Sequence, residues 1–259
     1  MTIRWLAGLC LALTLPSLAA AQADEIQVYD GGLAAKGTFN LTLHNNYIAR
    51  GLKERAFDGA VVADKSWNGV PEWAFGVTDW FEAGLYLPLY TLDKDLGFGI
   101  DGVKLRALFA APNGDNRRFV YGANFEFSYN AKRWDSTRIT SEVRPIIGWH
   151  FKSFDLIFNP IVDTAYDGFG KLEFVPAMRV AVNVAPKWQA AVEQYSNFGH
   201  FNDFYSRGQQ SHNLYAVVDH AGKTWDFEFG VGFGINDASD KLTFKMILAR
   251  DLWKRKPKT

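Results

Sequence analysis

From Thr38 onward the chain alternates apolar and polar residues over long stretches, and this period of two predicts strands whose faces meet different surroundings. Between Trp225 and Ile235, the side chains of Trp225, Phe227, Phe229, Val231, Phe233 and Ile235 share one face, opposite Asp226, Glu228, Gly230, Gly232 and Gly234. From Lys171 to Val184, Leu172, Phe174, Pro176, Met178, Val180 and Val182 stand opposite Lys171, Glu173, Ala177, Arg179 and Asn183. Residues 119–130 and 138–151 divide in the same way. The pattern places strands near 38–49, 70–78, 80–92, 100–111, 118–130, 136–151, 154–167, 170–184, 188–196, 211–220, 224–235 and 240–253, about 12 in all.

A soluble β-sandwich also alternates, so three further features choose the surroundings. The segments run about 10 to 14 residues, whereas soluble strands favour roughly 5 to 6 and a tilted membrane strand needs about 9 to 11. The apolar faces carry no charge, and Arg250, the one basic residue that alternation turns outward in the last strand, lies near a strand end, where exposure to lipid costs little. Aromatic residues gather at strand ends, as Trp73, Trp80, Phe81, Tyr129, Trp134, Trp149, Phe151, Trp188, Trp225 and Trp253, which is what an interfacial girdle requires. The fold expected is an all-β, antiparallel transmembrane β-barrel. Thr78-Asp79, Pro112 to Asp115, Lys152-Ser153, Pro186-Lys187 and Gly222-Lys223 read as tight periplasmic turns, and Gly51 to Gly69 and Phe198 to Gln210 as longer external loops.

The start of the chain has a different character. Met1 to Arg4 are short and basic, Trp5 to Ala20 are apolar, and Ala19-Ala20-Ala21 or Ala21-Gln22-Ala23 offers a small-residue cleavage site. A secretory signal peptide over residues 1–23 is therefore expected, with one barrel domain over 24–259 and delivery to the outer membrane of a Gram-negative bacterium. The single cysteine, Cys10, falls within that leader, and Leu9 before it is not the small residue that a lipidation site needs. Beyond the leader no apolar run is long enough for a membrane helix. With 28 basic and 28 acidic residues, net charge points neither to nucleic acid nor to an anionic surface.

The stretch NGVPEWAFGVTDWFEAGLYLP from Asn68, with RPIIGWH from Arg144, DLIFNPIVDTAYDG from Asp155 and FGVGFGINDASDKL from Phe229, resembles the family of bacterial outer-membrane barrels assigned to transport in the phenol-degradation meta pathway. The resemblance spans nearly the whole chain after the leader. It implies passage of small, aromatic or apolar solutes. One departure is at the C-terminus, where such barrels commonly end on an aromatic residue read by the assembly machinery, whereas here Trp253 is followed by Lys254 to Thr259. Either the machinery tolerates the basic tail or the last strand lies elsewhere.

Alternation assigns the barrel interior Glu72, Glu82, Lys104, Arg106, Glu126, Arg138, Glu142, Arg144, Asp155, Asp163, Glu173, Arg179, Glu193, Asp226, Glu228, Lys245 and Asp251, with acids in excess. Two readings stay open. These groups line a permeation path with mild cation preference, or they pair across strands and fill a structural or surface-binding barrel. A barrel of about 12 strands is expected to have a narrow or partly plugged bore. Pro145, Pro160 and Pro176 face outward on three successive strands and remove ladder donors, which reads either as local bulges or as a weakened seam for apolar solutes.

An outer-membrane lipid hydrolase is the remaining alternative. No His-x-Ser pair occurs, and Ser211 and His212, being adjacent, turn to opposite faces of a strand. His200, Asp203 and His212 share one stretch near the long loop, where solvation is a commoner role than metal binding. His44 and His150 are assigned inward, paired with carboxylates. No cofactor is implied, and the expected partners are outer-membrane lipids, the barrel assembly machinery and a small-molecule solute, with no nucleic acid.

Overall fold

The computed structural model describes residues 24–114 and 117–254. Its strands are β1 (Thr38–Arg50), β2 (Trp67–Gly76), β3 (Phe81–Tyr86), β4 (Tyr90–Asp93), β5 (Gly97–Ile100), β6 (Val103–Ala110), β7 (Phe119–Tyr129), β8 (Ile139–His150) and β9 (Asp155–Asn159). They continue as β10 (Val162–Thr164), β11 (Glu173–Phe174), β12 (Ala177–Ala185), β13 (Trp188–Asn197), β14 (Gly199–His200), β15 (Asp203–Phe204), β16 (Ser211–His220), β17 (Asp226–Gly234) and β18 (Leu242–Lys254). Neighbours pair antiparallel, and β1 bonds to both β2 and β18, which closes the sheet into a 12-strand barrel. Four staves of this barrel are each built from two pieces, β3 with β4, β5 with β6, β9 with β10 and β11 with β12, while β14 and β15 form a small hairpin above the wall.

The breaks follow the backbone chemistry. Pro88, Pro160 and Pro176 have no N–H to give to a ladder, and each lies between the two pieces of its stave. Beside two of them the wall is thinned. β8 pairs with β9 through Ile147–His150 and with β10 through Ser141–Val143, so Arg144, Pro145 and Ile146 lack a partner on that side. Pro145, Pro160 and Pro176, singled out from the sequence, thus gather at one gap in the ladder, and Pro88 marks a further break that alternation did not point to. The last strand also lies where alternation put it, with Trp253 paired to Phe39. The tail beyond Lys254 and the leader are outside the described residues.

The wall is inverted relative to a soluble protein. Lys245 and Glu193 are 0% and 1% exposed, whereas Leu105 and Phe233 are 56% and 54% exposed. A bilayer imposes this arrangement, because hydrocarbon meets the outside and the closed ladder leaves no free edge. Arg250 stays near the lower rim, with its guanidinium 5.0 Å from the centre of the Trp225 ring, and the cation–π contact offsets part of its exposure to lipid. Trp80, Trp149, Trp188, Trp225 and Trp253 are exposed on the outside, as a girdle requires.

Trp134 corrects the girdle expectation. It is 3% exposed and packs with Ile48, Val61, Ala63 and Ala131, while its Nε1 donates to Thr91 Oγ1 at 2.6 Å. The loops 51–66 and 130–138 fold over one side of the outer mouth, joined by Val61 N–H to the Arg133 carbonyl at 2.8 Å, and form an apolar cap. Trp134 buries its ring there because it lies in a loop above the wall, where alternation no longer applies.

Candidate functional site

The lumen is not empty. Residues 24–36, which run ahead of β1, thread up the inside of the barrel as a strap. At the lower end Gly37 N–H donates to the Gly76 carbonyl at 2.7 Å, and Ala34 N–H donates to Glu82. Midway, Tyr29 N–H donates to Asn159 Oδ1 at 2.8 Å and Asn159 Nδ2 donates back to the Tyr29 carbonyl at 2.9 Å. The Asn159 amide, at the break between β9 and β10, thus satisfies both backbone groups of Tyr29. The Tyr29 hydroxyl meets the Tyr86 hydroxyl at 2.6 Å, and Arg144 stacks 4.5 Å from the Tyr29 ring centre. Higher up, Arg144 donates to the Gln27 carbonyl at 3.0 Å, and Lys104 binds the Asp24 carboxylate at 2.9 Å.

Short apolar side chains let the strap fit. Val28 packs against Ile157, Ile161 and Ala177, Tyr29 and Leu33 against Leu108 and Ile146, and Ile26 against the cluster around Tyr215. At Gly31, φ is +88°, and a Cβ there would stand 2.6 Å from Val120 Cγ1, so the bend needs glycine on both counts. The strap therefore occupies the bore that alternation predicted to be narrow or partly plugged. Sequence reasoning began at Thr38 and missed it. The one trace in the chain is the alternation of Ile26 and Val28 with Glu25 and Gln27.

The predicted interior charges fall into groups. On one wall Arg106 bridges Glu72 and Glu82, and His44 Nε2 lies 3.1 Å from Glu72. On the opposite wall Lys245 and Arg179 share Glu193 and Glu228, with Lys245 to Glu228 at 2.7 Å and Arg179 to Glu228 at 3.4 Å. Arg179 also reaches Asp219, which sequence reasoning did not single out. Glu126 accepts from Asn124 Nδ2 at 2.8 Å, and Arg144 holds Glu142 at 2.6 Å. Lower down, His150 and Asp155 meet at 2.7 Å. Three others sit at the rims and belong to neither wall group. Arg138 pairs with Asp101 at 2.7 Å on the outer side, Asp226 accepts from Gly222 N–H at 3.0 Å in a lower turn, and Asp251 accepts from Asn40 Nδ2 at 3.1 Å.

Asp163 and Glu173 remain, and both face open space. Above the strap lies a vestibule of about 500 Å³ whose lining includes these two, Glu126, Glu142, Lys104 and Arg144, with Glu25 and Gln27 of the strap at its floor. Tyr205 on its side donates to Glu173 at 3.3 Å, and its hydroxyl is pushed up to about 12, first by burial and then by that carboxylate, so it stays a neutral donor.

The long loop gives a mixed outcome. His200 and Asp203 are backbone partners across the β14–β15 hairpin, but the His200 ring lies 3.1 Å from the Lys171 carbonyl and His212 bonds elsewhere. Among the described residues no cluster of His, Cys, Asp and Glu is arranged to hold a metal. The His212 ring Nδ1 lies 2.6 Å from the Ser196 hydroxyl, on neighbouring strands, a pairing that spacing along the chain hides. Ser196 is 2% exposed and also receives a hydrogen bond from Gln194, so the trio packs as a tie across the wall.

No family model matches the chain, and no curated protein does. Solved structures do. The COG4313 outer membrane channel from Pseudomonas putida F1 superposes with a TM-score of 0.59 at 13% identity, over 88% of this chain and 100% of that one. The NanC porin gives 0.56 at 9% identity, over 82% and 100%, and the KdgM porin in complex with disordered oligogalacturonate gives 0.51 at 7%, over 83% and 99%. At such identities the likeness is one of fold.

Proposed function

We propose that the protein is an outer-membrane channel that admits small solutes passively, closed at rest by its own strap. The observation that carries this reading is a water-accessible outer vestibule that ends on a peptide segment inside a closed barrel, with no wall strand across it. The strap's tyrosine, carbonyl and carboxylate contacts are separate hydrogen bonds, each worth about 1 kcal/mol net, or roughly 1.5 to 3 where a charge is involved. They can be released in part while the wall ladder stays closed. The fold likeness to outer-membrane channels and porins supports the same reading, as does the expected leader over residues 1–23 for export to the outer membrane.

Purified protein in planar bilayers tests it. The native chain should give small, flickering conductance, and Tyr29→Ala should raise it, because the Tyr29 hydroxyl meets Tyr86 and its ring stacks under Arg144. Silence from both proteins, each folded and inserted, would leave a filled structural barrel.

The phenol-pathway resemblance supports a second, narrower reading, that apolar aromatic solutes leave sideways through the wall. The ladder gap at Pro160 and Pro176, with Arg144 to Ile146 unpaired opposite it, favours this route. From inside, Val28 backs the gap, so the strap governs both paths. Replacing Pro145, Pro160 and Pro176 together by alanine should lower uptake of an apolar aromatic and spare that of a polar solute. Unchanged aromatic uptake by a folded variant discards the sideways exit.

A further inference from the structure

The vestibule has an imbalance that the channel reading alone does not explain. Eight carboxylate residues contribute to its lining against three lysines or arginines, an excess of five. Its cations are already committed. Lys104 is held by Asp24 at 2.9 Å and Arg144 by Glu142 at 2.6 Å, while Lys171 sits at the exposed rim beside Asp167. Two of the wall acceptors are held by no cation. Among the described residues the Asp163 carboxylate has no hydrogen bond or ion pair, and the Glu173 carboxylate has only the neutral donors Asn197 and Tyr205 at 3.3 Å, with the His200 ring at 3.9 Å.

The floor supplies an independent sign of a missing partner. The Glu25 side chain is 3% exposed and its Oε1 accepts no hydrogen bond, the nearest cation being Arg144 at 3.8 Å. Gln27 Oε1 is likewise buried and unbonded. Buried acceptors left unpaired are costly to the fold, so a site built this way is complementary to a ligand that brings donors and positive charge. An ammonium group has three N–H donors and no acceptor. Cleavage of the leader near residue 23 would add one α-ammonium at the floor, which is fewer than the five excess acids.

We propose that the vestibule is a binding site for small organic amines, with Asp163 and Glu173 receiving one ammonium from the wall and the strap's Glu25 and Gln27 meeting donors from below. That the bound amine then passes through rests on the channel reading above; the binding does not. The cavity has room for a short aliphatic diamine or a single-ring aromatic amine.

Calorimetry on the full-length protein in detergent tests the proposal with 1,5-diaminopentane, the matching dicarboxylate glutarate, and magnesium chloride. The diamine should bind, glutarate should not, and Asp163→Asn with Glu173→Gln should weaken diamine binding about tenfold. Equal heats for diamine and magnesium would reveal only a counter-ion cloud and overturn the proposal, as would unchanged diamine affinity in the doubly substituted protein. Glu173→Gln alone, which keeps its hydrogen-bonding shape, guards against a folding artefact and should give a smaller loss. Bilayer recordings separate the two claims. Diamine binding without conductance defeats the channel reading and leaves this one standing, whereas conductance without diamine binding does the reverse.

Discussion

Lys245 shows how much a single interior residue can carry. It is fully buried, and its ammonium serves Glu193 and Glu228 together, while Glu193 also accepts from the Tyr195 hydroxyl at 2.7 Å. Removing one member strands the others, and breaking a buried pair typically costs about 3 to 5 kcal/mol. Lys245→Met should therefore lower the temperature at which the barrel loses its compact electrophoretic mobility, and adding Glu193→Gln should recover part of the loss. The neighbouring backbone is shaped around such side chains. A Cβ on Gly230 would stand 2.8 Å from Lys245 Cγ, and one on Gly232 would collide with the Tyr215 ring. Gly232→Val should destabilise by about 1 to 3 kcal/mol through overpacking, read in the same heating assay. Sequence placed Lys245 and Glu193 indoors through parity alone. It could not pair Ser196 with His212, because that contact depends on strand register.

Among the elements, the strands were the most legible part of the chain, since each stave must satisfy lipid on one face and ionic groups on the other, and that demand is written as period two. The cap and the strap answer to no such demand. The cap is a small apolar cluster of Ile48, Val61, Ala63, Ala131 and Trp134 over the mouth, and its tryptophan looked like a girdle residue from position alone. One of its fastenings responds to pH. Asp240 Oδ1 accepts from Leu52 N–H at 2.8 Å, and burial pushes the Asp240 carboxyl above the ordinary carboxylate range, with Asp64 adding to the shift against the Leu52 bond. The folded form thus keeps its proton to higher pH than the unfolded form does. Stability from this group is full at acid pH and declines as pH rises through the raised value. Hydrogen exchange at the Leu52 amide, corrected for its intrinsic rate, should quicken across that interval, and Asp240→Asn should flatten the response.

For the molecule as a whole, chain reading supplied the closed barrel and its sense of inside and outside, and it singled out Pro160 and Pro176, where two of the staves break. It did not supply the vestibule, which exists only because the strap stops the bore partway and leaves Asp163 and Glu173 facing water. Both acids were assigned inward from alternation, yet nothing in the spacing distinguishes them from Glu193 or Glu72, which are consumed by neighbours. The difference is three-dimensional, set by where Lys104 and Arg144 are spent.

The strap touches opposite walls at once, reaching Lys104, Tyr86 and Asn159 by hydrogen bond or ion pair and the side of Tyr215 through Ile26. It acts as a spoke as well as a stopper, setting the cross-section of the hoop around it. Withdrawing the spoke would also free the hoop to flatten, so emptying the bore and softening its rim would be one mechanical event.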